Sequence, residues 1–172
     1  MTIQKLTKQT LKDAIILKIA CWTEELNGVL ENTLSFDEEY AFWLDWMQTG
    51  KKHSDQRCLY GMFENEKLIG AIFTSFAEDY DHPNAIEING LWVDPLYRGL
   101  HIAKKLLGFT LKKYQHQKKE KVIVYNHHDA PSNAFYHRLG GRILRKDLQM
   151  DGKLAVDVFI FSFERLLDKL SK

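Results

Sequence analysis

The chain has 172 residues, of which 45% are hydrophobic, so it is long enough to bury one substantial core and short for two. Its 24 basic and 23 acidic residues nearly cancel, which gives no global reason to expect a nucleic-acid or anionic-membrane partner. Cys21 and Cys58 are too few for a disulfide framework, and no apolar run is long enough for a membrane span. We therefore expect one cytoplasmic domain over residues 1–172, with reduced thiols.

The first third of the chain predicts a short strand and two helices. Residues 2–8 fit a strand, and apolar residues then recur at helical spacing from Leu11 to Leu26, with Gly28 as a stop signal. Ser35 and the acids that follow it are typical of a capping box. A second helix is predicted to begin there, with Trp43 on its apolar side.

Strands dominate the rest of the chain. The predicted elements are, in order, a hairpin over 58–63 and 68–73, a strand over 85–93, a helix over 99–117, a strand over 122–125, a short helix over 132–139, a hairpin over 143–149 and 154–163, and a tail helix over 163–170. Residues 122–125 have the all-apolar composition of a buried strand in a parallel pair. The segment 85–125 is therefore predicted to form a strand–helix–strand crossover.

The segment from Leu91 to Leu107 is the most informative part of the chain. A strand stops at Pro95, the chain turns through Arg98 and Gly99, and an amphipathic helix follows at once. The first turn of a helix has backbone N–H groups without intrahelical partners, and such groups bind anions. This layout predicts a phosphate-bearing ligand.

The order of elements and the string from Val93 to Gly99 resemble the GNAT superfamily of acyl-CoA-dependent N-acetyltransferases over nearly the whole chain. The family signature is Arg or Gln, two residues, Gly, one residue, then Gly or Ala; Arg98 and Ala103 match it, while His101 stands in place of the first glycine. A second match follows the next predicted strand: Asn126, Asn133, Phe135, Tyr136 and Gly140-Gly141. Two matches in the right order are stronger than either alone.

The resemblance implies an α/β (α+β) fold with a mixed, mostly antiparallel central sheet of six to seven strands and helices on both faces. It also implies acetyl-CoA as co-substrate, direct transfer and no metal. The cofactor contacts that it implies are Leu91, Trp92, Val93, Arg98, Gly99, Leu100, His101, Ile102, Ala103, Lys104, Asn126, Asn133 and Tyr136.

The sequence leaves two details of the predicted cofactor site undecided. Gly90 is a natural place for a bulge that separates 85–93 from 122–125, but a glycine under a bulky neighbour explains it nearly as well. A glycine is used where backbone and ligand approach closely, so His101 raises the question of crowding. We expect a right-handed helical backbone at His101, with its ring pointing outward.

Tyr136 and Glu87 are the predicted catalytic residues. A phenol stays protonated at neutral pH and can donate a proton to the departing sulfur, although a tyrosine beside Phe135 also suits a core. Glu87 lies eleven residues before Arg98, a spacing that resembles the general base of several family members. A solvent-facing strand acid is an equally good explanation of Glu87.

The acceptor is predicted to be a small cationic amine. In this family it lies across the sheet opening from the cofactor, and the segments there offer Trp22, Glu25, Trp43 and Tyr80 as substrate contacts, within sets of aromatics and acids. Each of these aromatics could equally be core, and each acid surface. His127-His128-Asp129 is predicted to be a loop before a helix rather than a metal site.

Two other function classes stay open. One is a non-enzymatic acyl-CoA-binding regulatory module on the same fold, because a fold does not establish an activity. The other is a protein N-terminal or lysine acetyltransferase. Family members often dimerise, so a homodimer is an expectation from the resemblance, although no patch in the sequence identifies an interface.

Overall fold

The computed structural model describes all residues from 1 to 172. The strands are β1 (Thr2–Lys5), β2 (Cys58–Glu64), β3 (Lys67–Phe76), β4 (Ala85–Val93), β5 (Lys121–His127), β6 (Arg142–Gln149) and β7 (Leu154–Ser162). The helices are α1 (Thr10–Leu26), α2 (Phe36–Gln48), α3 (Ile102–Leu111), α4 (Asn133–Arg138) and α5 (Phe163–Ser171). All elements that the sequence predicts are present, with shifted ends.

The seven strands form one sheet in the order β1-β2-β3-β4-β5-β7-β6. Only β4 and β5 run parallel, joined through α3, and the other neighbours pair antiparallel. The predicted mixed, mostly antiparallel sheet is confirmed. None of the helices combines the length and apolarity that a membrane span requires.

The sheet has a hydrophobic core on each face. On one face α1 and α2 pack through side chains such as Ile15 and Trp43 onto Phe73. On the other, α3 and α5 pack through Leu106 and Leu166, in the same cluster as Tyr136 of α4. Burial of one such large apolar side chain contributes about 1.5–3 kcal/mol, so these two layers hold the sheet as a rigid frame for the site.

Several ends differ from the sequence prediction. Helix α3 begins at Ile102 rather than at 99, because Gly99 and His101 both have positive φ and cannot belong to a right-handed helix. Strand β1 stops at Lys5, after which the hydroxyls of Thr7 and Thr10 each accept a hydrogen bond from the other's backbone N–H. The predicted cap at Ser35 is present, and Gly140 follows α4 with a positive φ of 91°.

Candidate active site

Strands β4 and β5 diverge beyond their first four paired residues. The register runs from Ala85 opposite Lys121 to Ile88 opposite Val124 and goes no further. At the same point β4 carries a bulge against β3, because Phe73 pairs with Gly90 and Thr74 with Ile88. The extra residue turns the end of β4 away from β5 and opens a wedge in the sheet.

Gly90 fits both explanations that the sequence offers, a β-bulge and a glycine under a bulky neighbour. It belongs to the bulge, and the indole of Trp92 lies directly over it: a β-carbon at position 90 would be 2.0 Å from Cη2 of Trp92. Only a glycine lets the tryptophan fold back in this way. Trp92 thereby reaches the wall of the wedge.

A cavity of about 970 Å³ fills this wedge. Its walls are the end of β4, the loop before α3, the last turns of α1, and α4 with the end of β5. Ten predicted cofactor contacts line it: Leu91, Trp92, Val93, Arg98, Gly99, His101, Ile102, Ala103, Lys104 and Tyr136. Leu100, Asn126 and Asn133 do not.

The loop before α3 presents a row of free donors. The backbone N–H groups of every residue from Gly99 to Lys104 donate no hydrogen bond within the protein, and the helical ladder starts only at Lys105, which donates to the carbonyl of His101 at 2.9 Å. Converging backbone N–H groups at a helix N-terminus bind phosphate. These unpaired N–H groups lie in the loop where the sequence predicts an anion site.

His101 takes a left-handed conformation, with φ 59° and ψ 20°, so the predicted right-handed backbone is wrong. The alternation of Gly99 at φ 82° and His101 at φ 59° turns the chain from the 3₁₀ turn Pro95–Tyr97 into α3. Glycine has no β-carbon to clash at such a position, while histidine is one of the few other residues that adopt it with some frequency. His101 is exposed, and it lines the cavity.

The side chain of Arg98 points to α1 and not along the loop. Its Nη1 and Nη2 donate to Oε1 and Oε2 of Glu24 at 2.8 and 2.7 Å, and this pairing lowers the pKa of Glu24. A bidentate ion pair fixes the relative orientation of the two side chains. About half of each side chain is exposed, which limits the contribution of the pair to stability. It ties the anion loop to the end of α1.

Two cations at the cavity have no counterpart in the sequence prediction. Arg138 at the end of α4 and Lys169 of α5 both line the cavity, as does Lys104. The Nζ of Lys169 donates to the carbonyl of Arg138 at 2.8 Å. No local sequence signal indicates Lys169, because α5 reaches the cavity through its packing on α3 and β7.

Tyr136 is 4% exposed and lies among the rings of Phe135, Phe159 and Phe161. Burial, and then the negative charge of Glu25, raise the pKa of Tyr136 above its usual range. The phenol therefore stays protonated at neutral pH. Tyr136 belongs to the core and also lines the cavity.

Asn126 and Asn133 bind to the protein's own backbone and side chains. Nδ2 of Asn126 donates to Oδ1 of Asn133 at 2.7 Å, and Nδ2 of Asn133 donates to the carbonyls of His127 and His128 at 3.1 and 2.6 Å. These bonds hold the junction between β5 and α4. They fix the position of Tyr136, which lies on α4.

Two further titratable residues meet at the cavity. Glu25 is in the last turn of α1, and burial raises its pKa, with Arg98 opposing. His127 ends β5 instead of lying in the predicted loop, and its Nδ1 is 3.9 Å from Oε1 of Glu25. The sequence indicates Glu25 as a substrate contact but has no signal that separates His127 from its neighbour His128.

Glu87 lies outside the cavity. It sits opposite Ile123 in the paired part of β4, before the wedge opens. Burial raises the pKa of Glu87 to about 7, and the charges of Asp81 and Glu78 add to the effect. Its carboxyl is thus suited to exchange protons near neutral pH, at a distance from the cavity wall.

The loop between β3 and β4 is anchored by one of its acids. Asp81, with a side chain 1% exposed, accepts hydrogen bonds from the hydroxyl of Tyr125 and from Nη2 of Arg145, both at 2.6 Å. Its charge is therefore used within the protein. Tyr80 beside it is 79% exposed.

The structure brings only Glu25 among the predicted acceptor residues to the cavity. Trp22 packs beside Leu26, and Trp43 is 8% exposed in the core, where its Nε1 donates to Oε2 of Glu39 at 3.0 Å. The apolar spacing of α1 and α2 places both rings against the sheet.

Comparison with known proteins fits this geometry. The sequence model of the Acetyltransferase (GNAT) family matches residues 18–141. A search of curated protein sequences finds no significant match. Many solved structures are similar.

PaiA N-acetyltransferase from Thermoplasma acidophilum, in complex with coenzyme A, is 19% identical with a TM-score of 0.74, over 94% of this chain and 98% of that one. An aminoglycoside 6'-N-acetyltransferase complexed with coenzyme A is 15% identical with a TM-score of 0.70, over 95% and 97%. The ribosomal-protein-S18-alanine N-acetyltransferase from Escherichia coli is 14% identical with a TM-score of 0.65, over 94% and 93%.

At these identities the solved structures establish a shared fold, and the family match, over more than half of the chain, establishes descent. The wedge between β4 and β5 and the free N–H groups before α3 lie inside the matched region. The chain belongs to the GNAT family of acetyltransferases.

Proposed function

We propose that this enzyme transfers an acetyl group from acetyl-CoA directly to the primary amine of a small cationic acceptor. The observation that carries the proposal is the cavity itself, which joins a row of unpaired backbone donors to a buried, protonated tyrosine.

The residues present fit coenzyme A. The N–H groups from Gly99 to Lys104 suit the diphosphate, and the cations Lys104, Arg138 and Lys169 suit the remaining phosphate. The edge of β4 beyond Ile88 has lost its partner strand, which leaves backbone groups for the amides of the pantetheine arm. Of the predicted cofactor contacts, Asn126 and Asn133 act by holding the junction between β5 and α4.

Acetyl-CoA supplies an activated thioester, and the protein supplies position and proton transfer. The hydroxyl of Tyr136 is proposed to donate a proton to the departing sulfur, because the phenol is protonated at neutral pH and lines the cavity. Glu87 is proposed to take a proton from the acceptor's ammonium group through water, because its carboxyl lies outside the cavity.

The acceptor is proposed to be a small amine because the α1 side of the cavity is acidic. Glu25 and Asp129 line the cavity, and the negative charges of Asp81, Glu78 and Glu87 surround Tyr80. The aminoglycoside acetyltransferases among the similar structures are in keeping with this choice. The ribosomal-protein-alanine acetyltransferases favour a second candidate, a protein N-terminus.

The test is thiol release from acetyl-CoA with a panel of amines: a linear diamine, an aminoglycoside, and a peptide with a free N-terminus. We expect turnover with the diamine or the aminoglycoside, and a loss of kcat of about 100-fold in Tyr136→Phe with CoA affinity retained. Acetylation of the peptide alone would favour the second candidate. No turnover with any amine would refute the proposal.

We also propose a cytoplasmic location. Both cysteines are free and buried, as expected where thiols stay reduced.

A further inference from the structure

His127 is the least explained residue at the cavity. It is 6% exposed, and its Nδ1 is fully buried without a hydrogen-bond partner. Burial of a polar atom without a partner costs about 1–3 kcal/mol, so such atoms are uncommon unless they have a use. The one acidic group beside it is Glu25, with Oε1 3.9 Å from Nδ1.

The backbone holds this histidine firmly in place. His127 pairs with Val156 of β7, and its carbonyl accepts hydrogen bonds from Ala130 and from the side chain of Asn133. His127 and Glu25 therefore lie on two rigid elements, the end of β5 and the last turn of α1, which meet at one wall of the cavity.

The neighbouring histidine shows what an ordinary structural partner looks like. Nδ1 of His128 is 2.9 Å from Oδ2 of Asp157, a carboxylate that is almost completely buried, and the His128 side chain is 40% exposed. His128 does not line the cavity. Of the two adjacent residues, only His127 lines the cavity, and its Nδ1 has no hydrogen-bond partner.

The proposed reaction leaves one proton without an acceptor inside the cavity. An ammonium acceptor has three N–H bonds and the amide product has one, so the nitrogen loses two protons. Glu87 is proposed to take the first, which leaves a neutral amine. The second is released as the new C–N bond forms, at a point that the Glu87 carboxyl does not reach directly.

We propose that His127 accepts this second proton and that Glu25 positions the imidazole for it. The inference rests on the proposed function. The negative charge of Glu25, 3.9 Å from Nδ1, favours the tautomer with its proton on that nitrogen, and so leaves the lone pair on Nε2 for the reacting amine. It also stabilises the positive charge that the ring acquires.

In this step the amine nitrogen forms a bond to the carbonyl carbon, and its proton passes to Nε2 of His127. The C–S bond breaks with its electron pair on sulfur, which takes the proton of Tyr136. The imidazolium and the protonated Glu87 then give their protons to solvent, and the phenol regains one, so all three residues return to their starting states.

The test uses the amine that the wild-type enzyme turns over fastest. We expect His127→Ala to lower kcat by about 100-fold, with CoA affinity within about threefold of wild type, and added imidazole to restore at least about tenfold. Imidazole rescue is the decisive result, because a free base replaces a missing proton acceptor but does not repair a packing defect. His127→Gln, which keeps most of the volume and lacks the base, is expected to show the same loss.

His53→Ala is the matched control, since His53 is exposed and remote from the cavity, and it is expected to change neither kcat nor the response to imidazole. Glu25→Gln is expected to lower kcat about tenfold, and to add little to His127→Ala, because the two act as a unit. Glu31→Gln is its exposed control.

Either of two results would overturn the inference: near-wild-type kcat in both His127 variants, or a loss that imidazole does not restore while CoA still binds. If the wild-type enzyme acetylates none of the amines, the proposed function fails instead.

Discussion

The indole of Trp92 covers the α-carbon of Gly90, two residues before it in the same strand. This contact couples the bulge of β4, which opens the sheet, to a ring that lines the cavity so formed. A side chain at position 90 would meet the indole at 2.0 Å, far inside van der Waals contact. The shape of the cavity and the geometry of β4 therefore both depend on the absence of a β-carbon at position 90.

Gly90→Ala is expected to destabilise the protein by about 1–3 kcal/mol, the usual effect of overpacking, because the new methyl must displace Trp92 or flatten the bulge. CoA affinity is expected to fall with it. Chemical unfolding and calorimetric titration with CoA measure the two effects.

Gly108→Ala is the control. Gly108 lies in α3, and a β-carbon there would be 3.4 Å from Cβ of Leu170 in α5, an ordinary van der Waals distance. It is expected to be neutral or to stabilise by about 0.5–1 kcal/mol, as alanine does in helices. Equal effects of the two substitutions would contradict the role assigned to Gly90.

Position 101 is expected to tolerate glycine and to resist β-branched residues. A left-handed backbone costs an L-residue about 1–2 kcal/mol, and branching at Cβ increases this cost. His101→Val is therefore expected to lower stability by about 1 kcal/mol or more and to weaken CoA binding several-fold, because the row of N–H groups shifts. His101→Gly is expected to bind CoA within about threefold of wild type.

Leu100→Val serves as the control, because Leu100 is exposed and its φ is not positive. Thermal unfolding and CoA titration check the set. Unchanged stability and affinity in His101→Val would show that the backbone at 101 is not left-handed.

Glu87 is expected to make stability depend on pH. Its pKa is raised from an ordinary value of 4.5 to about 7 in the folded protein, so the folded state holds a proton that the unfolded state releases. The stability that this proton contributes is fully present below pH 4.5 and is lost as the pH rises through about 7.

Glu87→Gln stays neutral at every pH and is expected to be more stable than wild type at pH 8, by up to about 3 kcal/mol, with no difference near pH 4. Urea unfolding of both proteins across this range measures the difference, and Glu31→Gln, at an exposed site, is expected to show none. A constant difference at all pH values would mean that the carboxyl does not titrate as described.

Asp81 is expected to act as a structural anchor. Removal of its carboxylate takes the buried acceptor away from Nη2 of Arg145 and from the hydroxyl of Tyr125, which keep their hydrogen bond to each other. Breaking a buried ion pair by deleting one partner costs about 3–5 kcal/mol. Since Arg145 is 35% exposed, we expect Asp81→Ala to cost less, about 1–3 kcal/mol. The KM for the amine is expected to rise as the loop loosens.

Asp79→Ala, at an exposed position two residues away, is expected to leave stability within about 0.5 kcal/mol of wild type. Equal stability of the two variants would contradict the anchor.

Much of the fold could be predicted from the chain because its signals are local. The period of apolar residues identifies α1 and α3, the serine at 35 caps α2, and Asp151-Gly152 marks the turn between β6 and β7. The anion loop is equally local, since its donors are backbone groups of consecutive residues.

The sequence could not predict the left-handed conformation of His101. Glycine is the residue that indicates such a conformation in a sequence, and position 101 has a histidine. Nor could it separate Trp43 in the core from Glu25 at the cavity, since both lie on amphipathic helices and packing decides which face meets which wall. The pKa of Glu87 is likewise a property of neighbours brought together by the sheet.

The sequence by itself determined the order of elements, the family, and the loop that presents free N–H groups, because each depends on residues adjacent in the chain. Only the tertiary structure placed His127 beside Glu25, which lie 102 positions apart in the sequence and 3.9 Å apart at the cavity wall. Contacts of this kind depend on how far β4 and β5 diverge and on how α1 packs across the sheet, and no local pattern encodes either.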